Sequence, residues 1–290
     1  MRSSARAVAP SRLSNQGLAD QGLAGQALAE PTRDVLPGRL LSETFLRLRL
    51  KTPRVHCLTN SVAQSFTANL LLAAGAVPSM TIAPDEIAHF VPRAGALLVN
   101  LGTLDAERRA ALPLALEAAA KADIPVVLDP VFVEASPPRL QVARDILARR
   151  PALLRLNGPE FEALSGAPPQ DERIAEFAAE TGAVIAVTGA VDIVSDGLRI
   201  ARIENGHPYM AQVTAMGCAA GALLAAFIAC GADPFGAAVT GLTALGVAGE
   251  IAADQARGPG SFAVAILDAL AGLDAPELER HARIIIEDPA

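Results

Sequence analysis

The chain contains no tryptophan, one tyrosine and nine phenylalanines among its 290 residues. A core with so few large rings has to come from Ala, Leu, Val and Ile. The 51% hydrophobic content and 23 glycines point to close backbone contacts. Cysteine is also scarce. Cys57, Cys218 and Cys230 are an odd, widely spaced set with no Cys-x-x-Cys and no Cys/His cluster. This argues against a disulfide framework and a structural zinc site, and for a reducing cytoplasm. Positive charge never runs beyond short pairs such as Arg149-Arg150, and the net charge is −7. Double-helical nucleic acid is therefore not an expected partner. Gly-x-x-x-x-Gly-Lys is missing, so this is not a P-loop protein, and no Gly-x-Gly-x-x-Gly follows a first strand. The N-terminus has Arg2 and Arg6 but no apolar segment of a secretory signal.

One long apolar stretch is present. From Met216 to Ile251 the charged residues are Asp233 and Glu250. A bilayer needs about 20 apolar residues, but Gly231-Ala-Asp-Pro234 interrupts the run and no Lys or Arg flank orients it. Two buried helices packed through small residues are expected, and no membrane.

Residues 1–38 differ from the rest. The Gln/Gly/Leu/Ala repeat around Asn15–Ala29 reads as a disordered or weakly helical extension without chemistry. Residues 39–290 read as one domain. Strand-like runs at 55–58, 79–83, 96–101, 126–130, 153–156 and 184–188 alternate with amphipathic helical patterns. Ser61 is expected to cap the helix over 62–74, and Gly75 to stop it. Asp196-Gly197 turns a hairpin between 192–195 and 199–204. A β-type run, Gln212-Val213-Thr214, precedes the long apolar helix. The alternation predicts an α/β fold with a mostly parallel sheet and helices on both faces.

Ligands of such sheets bind beyond the carboxyl ends of the strands. The polar residues there are Thr59-Asn60, Gly102-Thr103, Asp129, Asn157 with Glu160, Thr188-Gly189 and Gly217-Cys218. Asp129 closes an apolar strand, where a carboxylate serves as a Mg²⁺ ligand or as a cap. Asn157-x-x-Glu160 fits a metal's water shell beside phosphates and equally fits a helix N-terminus. Arg155 lies within the apolar run Leu153-Leu-Arg-Leu156 and needs an anionic partner, a phosphate or a structural carboxylate. Thr188 suits a nucleotide phosphate or a plain turn. Ala215-Met216-Gly217-Cys218 opens a helix whose free N–H groups and dipole attract anions. Gly217 allows close approach there. The position is also expected to lower the Cys218 pKa. His56 reads as a core histidine.

The order and spacing of these blocks resemble the hydroxyethylthiazole kinase family of the ribokinase-like superfamily. The blocks are Val55-His-Cys-Leu-Thr-Asn60 with Phe66-Thr-Ala-Asn-Leu-Leu-Leu72, Ala74-Gly-Ala-x-Pro-x-Met80, Leu128-Asp-Pro-Val131, Arg155-x-Asn-x-x-Glu160, Val187-Thr-Gly189, Gly217-Cys218 and Gly258-Pro-Gly-Ser-Phe262. The resemblance implies ATP- and Mg²⁺-dependent phosphorylation of the alcohol of 4-methyl-5-(2-hydroxyethyl)thiazole in thiamine salvage. It also implies a cytoplasmic homotrimer with thiazole sites between subunits. By position, Met80, Asn60, Ala215 and Gly217 fall to the thiazole and Arg155, Thr188 and Asn157 to ATP. Asp129 and Glu160 fall to Mg²⁺, and Cys218 to catalysis at the hydroxyl. Three departures from the family pattern stand out. Ala215-Met216 replaces a Gly-Thr or Gly-Ala pair, Glu134 replaces a glycine, and Leu156 stands between Arg155 and Asn157 where the family has glycine. The alternatives are a kinase of a related alcohol such as a hydroxymethylpyrimidine, a non-catalytic thiazole- or nucleotide-binding relative, and a hydrolase using Cys218. The hydrolase lacks a recognisable His partner.

Overall fold

A computed structural model of the chain describes residues 37–288. The extension expected over residues 1–38 lies outside the described residues, apart from Pro37 and Gly38, which begin the first helix. In chain order the elements are α1 (Pro37–Lys51), β1 (Arg54–Leu58), α2 (Gln64–Ala74), β2 (Val77–Ser79), α3 (Ile87–Phe90), β3 (Ala96–Asn100), α4 (Ala106–Lys121) and β4 (Val126–Asp129). Then come α5 (Pro137–Leu147), β5 (Leu153–Asn157), α6 (Gly158–Ser165), α7 (Asp171–Thr181), β6 (Val184–Thr188), β7 (Asp192–Ser195) and β8 (Ile200–Ile203). The remainder is α8 (Met216–Ala229), α9 (Pro234–Gln255), α10 (Pro259–Gly272), α11 (Ala275–His281) and β9 (Ile284–Glu287).

The strands form one sheet in the order β2-β1-β3-β4-β5-β6-β7-β8-β9. The first six are parallel, and β7, β8 and β9 each pair antiparallel with the strand before them in the sheet. Strand side chains alternate between two cores, as the period of two requires. Leu98, Val127, Leu153 and Ala186 face the layer of α1, α2, α8, α9 and α10. Leu97, Val99, Leu128, Leu154 and Ile185 face the layer of α4 to α7.

Several expectations shift. Residues 212–214 are not a strand. A 3₁₀ turn covers Pro208–Gln212 and leads into α8. β2 lies earlier, at Val77–Ser79, and α3 begins at Ile87 rather than at Pro84. Ser61 does not cap α2, whose N-cap is Ala63 with no side-chain bond; the turn before the helix is held instead by the Asn60 side chain, which accepts the Ala63 N–H at 2.9 Å. The C-terminal α11 and β9 had no counterpart in the sequence reading. β9 enters the sheet by pairing with β8, and Arg283 next to it holds Glu250 of α9.

The shortage of rings is met by close packing of small residues. α8 and α9 are almost wholly buried. α9 is long and apolar enough to cross a membrane, yet 89% of its apolar window is buried against protein. A Cβ at Gly221 would come within 3.3 Å of Leu98 Cδ1, so α8 lies tight on the sheet. A Cβ at Gly246 of α9 would stand 2.7 Å from the Asn205 carbonyl oxygen, which is backbone and cannot swing aside. Gly246→Ala is expected to lower stability by about 1–3 kcal/mol, the usual cost of overpacking. Urea unfolding of the variant and parent checks this.

Candidate active site

Parallel strands bring their carboxyl ends to one edge, and five of them carry polar side chains there. Asn60 follows β1, Asn100 ends β3 and Asp129 ends β4. Arg155 and Asn157 lie at the end of β5, and Thr188 ends β6. The first turn of α8 closes the group. Cys218 Sγ accepts an N–H from Asn60 Nδ2 at 3.2 Å, and the same nitrogen donates to Asn100 Oδ1 at 2.9 Å. Asn100 Nδ2 donates to Asp129 Oδ2 at 2.6 Å. Asp129 Oδ1 lies 3.7 Å from Arg155 Nη1. Arg155 Nη2 donates to Thr188 Oγ1 at 2.5 Å. A Cβ at Gly217 would meet the Arg155 guanidinium at 2.8 Å, so only glycine fits there without displacing it. Adjacent residues of α8 thus touch two groups, Gly217 the arginine and Cys218 the asparagines.

Asn157 and Glu160 form a full capping box. Asn157 Oδ1 accepts the Glu160 N–H and Glu160 Oε2 accepts the Asn157 N–H, both at 2.9 Å. Glu160 Oε1 takes the Phe132 N–H at 2.9 Å, which ties the loop after β4 to α6. Met80 is half-buried and packs against the core that holds α2 and α8. His56 holds the segment that carries Met80: Nδ1 meets Ser79 Oγ at 2.9 Å and Nε2 meets the Thr81 carbonyl at 3.2 Å. Burial pushes the His56 pKa down to about 4, opposed by the Thr81 hydrogen bond. A neutral ring with two structural bonds fits the core reading.

Burial dominates the charges of the site. It pushes the Asp129 carboxyl up to about 7, against the pull of Arg155 and the Asn100 N–H, and Glu160 adds repulsion. Cys218 also goes up, through burial first and the Asp129 charge second. The sequence expectation of a lowered thiol pKa is thus reversed in the protein. The bonds from Asn100 and Asn60 and the Arg155 charge oppose the rise without cancelling it. Asp129 Oδ1 and Arg155 Nε are buried with no hydrogen-bond partner. A carboxylate oxygen with no donor suits a cation or a cation's water. Mg²⁺ commonly uses one or two carboxylates plus phosphate and water. Among the described residues no cluster of three His, Cys, Asp or Glu side chains gathers at one point. Beside Arg155 and Thr188 opens a cavity of about 590 Å³ that also borders Asp192, His207 and Gly217. Asp192 accepts the Gly189 N–H, and burial pushes its carboxyl up to about 6.

Two site residues escaped the sequence reading. Asn100 was legible as an amide closing an otherwise apolar strand. Asp192 had no signal beyond its place at the start of a hairpin.

The profile of the "Hydroxyethylthiazole kinase family" matches residues 45–276. This chain belongs to that family. It is 44% identical over 243 residues to a probable hydroxyethylthiazole kinase of Agrobacterium fabrum, covering 84% of this chain and 94% of the relative. It is 45% identical over 252 residues to a hydroxyethylthiazole kinase of Granulibacter bethesdensis, covering 82% and 92%. A solved hydroxyethylthiazole kinase structure from Pyrococcus horikoshii OT3 superposes with a TM-score of 0.81 at 36% identity, over 86% of this chain and 99% of that one. A pyridoxal kinase of Staphylococcus aureus, solved with AMP-PCP and pyridoxal, superposes with a TM-score of 0.61 at 15% identity over 81% of this chain and 98% of that one, a likeness of fold alone. The fold is ribokinase-like.

Ala215, which departs from the family pattern, takes φ 73° and ψ 0° at the N-cap of α8. A Cβ in this region costs about 1–2 kcal/mol. Ala215→Gly is expected to recover about 1 kcal/mol, read as a raised denaturant midpoint. A second outcome follows from Asp129. Its pKa is raised in the folded state, so the native protein holds the proton between about pH 4 and 7 while the unfolded chain releases it. Stability contributed at acid pH is lost as pH rises through that window. Asp129→Asn is expected to remove this fall, on the order of 4 kcal/mol for a carboxyl pushed from its ordinary range up to about 7, in urea midpoints measured from pH 4 to 8.

Proposed function

We propose that the chain transfers the γ-phosphoryl group of ATP to the hydroxyl of 4-methyl-5-(2-hydroxyethyl)thiazole, in thiamine salvage in the cytoplasm. The observation that carries the reading is the first turn of α8, where Gly217 lies on the Arg155 guanidinium and the next residue, Cys218, faces the amide pair. ATP would lie in the cavity beside Arg155, Asn157 and Thr188, with Arg155 on the phosphates. The hydroxyl would lie at Cys218, and the thiazole near Asn60, Ala215, Gly217 and Met80. The free N–H groups and dipole of α8 would hold the transferring phosphoryl, which needs positioning and charge stabilisation more than covalent chemistry. Mg²⁺ would neutralise phosphate charge when bound, held by Asp129 Oδ1 and, through water, by Glu160.

The raised thiol pKa supports a neutral Cys218 that positions the alcohol. The hydroxyl oxygen forms the new P–O bond, ADP leaves with the old bonding pair, and the hydroxyl proton passes late to solvent water, as a loose transition state permits. The family likeness further implies a homotrimer with sites between subunits. The exposed Val62, Leu72 and Val264 at and near α2 and α10 are apolar surface available for such contact.

The test is ADP formation with ATP, Mg²⁺ and the thiazole alcohol, with a no-alcohol control and the product mass. Thiazole phosphate is expected. A product formed only from hydroxymethylpyrimidine would redirect the substrate, and binding without product would make the chain a non-catalytic relative. Cys218→Ala is expected to lower kcat about 10-fold or more with KM for ATP little changed. An unchanged kcat would remove Cys218 from the mechanism.

A further inference from the structure

We infer that Asn100 is a positioning residue of this site. Through Asn60 it makes the Cys218 sulfur a hydrogen-bond acceptor, and through its own N–H it holds one Asp129 oxygen while the other stays bare. What Cys218 and Asp129 do chemically rests on the proposed kinase reading; the geometry does not.

The direction of the hydrogen bonds is set by two backbone groups, the N–H of Ala63 and that of Gly102. Asn60 Oδ1 accepts the Ala63 N–H at 2.9 Å in the turn before α2. Both Asn60 Nδ2 hydrogens then point the other way, one to Asn100 Oδ1 at 2.9 Å and one to Cys218 Sγ at 3.2 Å. Asn100 Oδ1 also accepts the Gly102 N–H at 3.1 Å, so both its lone pairs are used. Asn100 Nδ2 must therefore face Asp129 Oδ2, at 2.6 Å. Turning either amide over would set N–H against N–H, at Ala63 in one case and at Gly102 in the other.

The pair has no room to relax. Asn100 and Asn60 are 3% and 7% exposed, and a Cβ at Gly102 would stand 2.7 Å from Asn60 Nδ2. Asn100 donates to only one oxygen of Asp129. The other oxygen has no partner, with Arg155 Nη1 nearest at 3.7 Å. At the far end, the sulfur receives an N–H, so its own hydrogen points away from the asparagines. A buried network in which both amide oxygens and both Asn60 N–H groups are committed is rigid, and that rigidity keeps an active-site group within a narrow range of positions.

Two variants of the full-length chain separate positioning from mere packing. Asn100→Asp keeps the acceptor for Asn60 and Gly102 and replaces the amide N–H groups on the Asp129 side with a carboxyl oxygen, which has to share a proton with Asp129. Asn100→Leu removes both bonds. Three quantities are measured: kcat, KM for ATP, and the rate at which iodoacetamide alkylates Cys218 in ligand-free protein, followed by peptide mass. In both variants kcat is expected to fall about 10- to 100-fold, the usual effect of losing a group that orients an active-site ligand. KM for ATP is expected to stay within about twofold. Alkylation is expected to slow severalfold in Asn100→Leu, because the freed Asn60 amide leaves the sulfur, and to stay near the parent rate in Asn100→Asp.

An unchanged kcat in a folded variant, or a loss seen wholly in KM for ATP, overturns the inference. So does an unchanged alkylation rate in Asn100→Leu. If that variant does not fold, Asn60→Asp takes its place, keeping the acceptor for the Ala63 N–H and removing the N–H to sulfur. Slowed alkylation supports the inference there, and an unchanged rate overturns it. If the parent phosphorylates no alcohol, the kinase reading fails, and the alkylation arm still decides whether the amide pair positions Cys218.

Discussion

A carboxylate buried at the end of a central strand is the constraint around which this site is arranged. Asp129 is fully buried, with apolar strand residues behind it and helices on both faces of the sheet. Charge there is costly unless it is paired and hydrogen-bonded. The protein supplies partial compensation: one short N–H bond from Asn100 and an arginine held a little too far for a direct hydrogen bond. The deficit places the carboxyl near neutrality and leaves one oxygen without a donor. A group meant only for stability would have been paired fully or replaced. The partial pairing fits a site completed by a cation and phosphates.

The small residues of the sequence act on the same site. α8 approaches the sheet closely because Gly221 has no side chain, and its N-terminus reaches Arg155 because Gly217 has none. Around this tight turn the backbone carries strain. Ala215 at the N-cap of α8 and Val131-Phe132 just after Asp129 adopt positive φ without being glycine. Such conformations persist where surrounding structure holds them, as the Glu160 bond to the Phe132 N–H does here. The low content of large rings, the close helix packing and the site's shape therefore share one origin.

Much of this was legible early, for definite reasons. β3 to β6 were readable because short apolar runs alternated with helical patterns, and a parallel sheet aligns the ends of its strands. Asp129, Arg155 and Thr188 stood out because each is polar at or near the end of an apolar run. Asn100 satisfied the same rule and was passed over, because the end of its strand was read at Gly102-Thr103 and the strand stops at Asn100. Glu160 and Asn157 were legible as a cap or a metal-site pair. The capping box is present, and its bonds leave lone pairs free for water.

The sequence by itself determined the order of elements, the two-layered cover of the sheet and the strand edge at which polar groups gather. These follow from local periodicity and turn chemistry, which act over a few residues. Tertiary structure alone decided the protonation tendencies and the connections. Cys218 sits at a helix N-terminus, where a local rule lowers its pKa, yet burial among Asn60, Asn100 and Asp129, more than eighty residues away along the chain, raises it. The run at 212–214 has extended preference but no neighbouring strand to pair with, so it becomes a turn. β9 gains its identity only from the free edge of β8. In each case the deciding energy comes from groups distant in sequence, and folding alone brings them together.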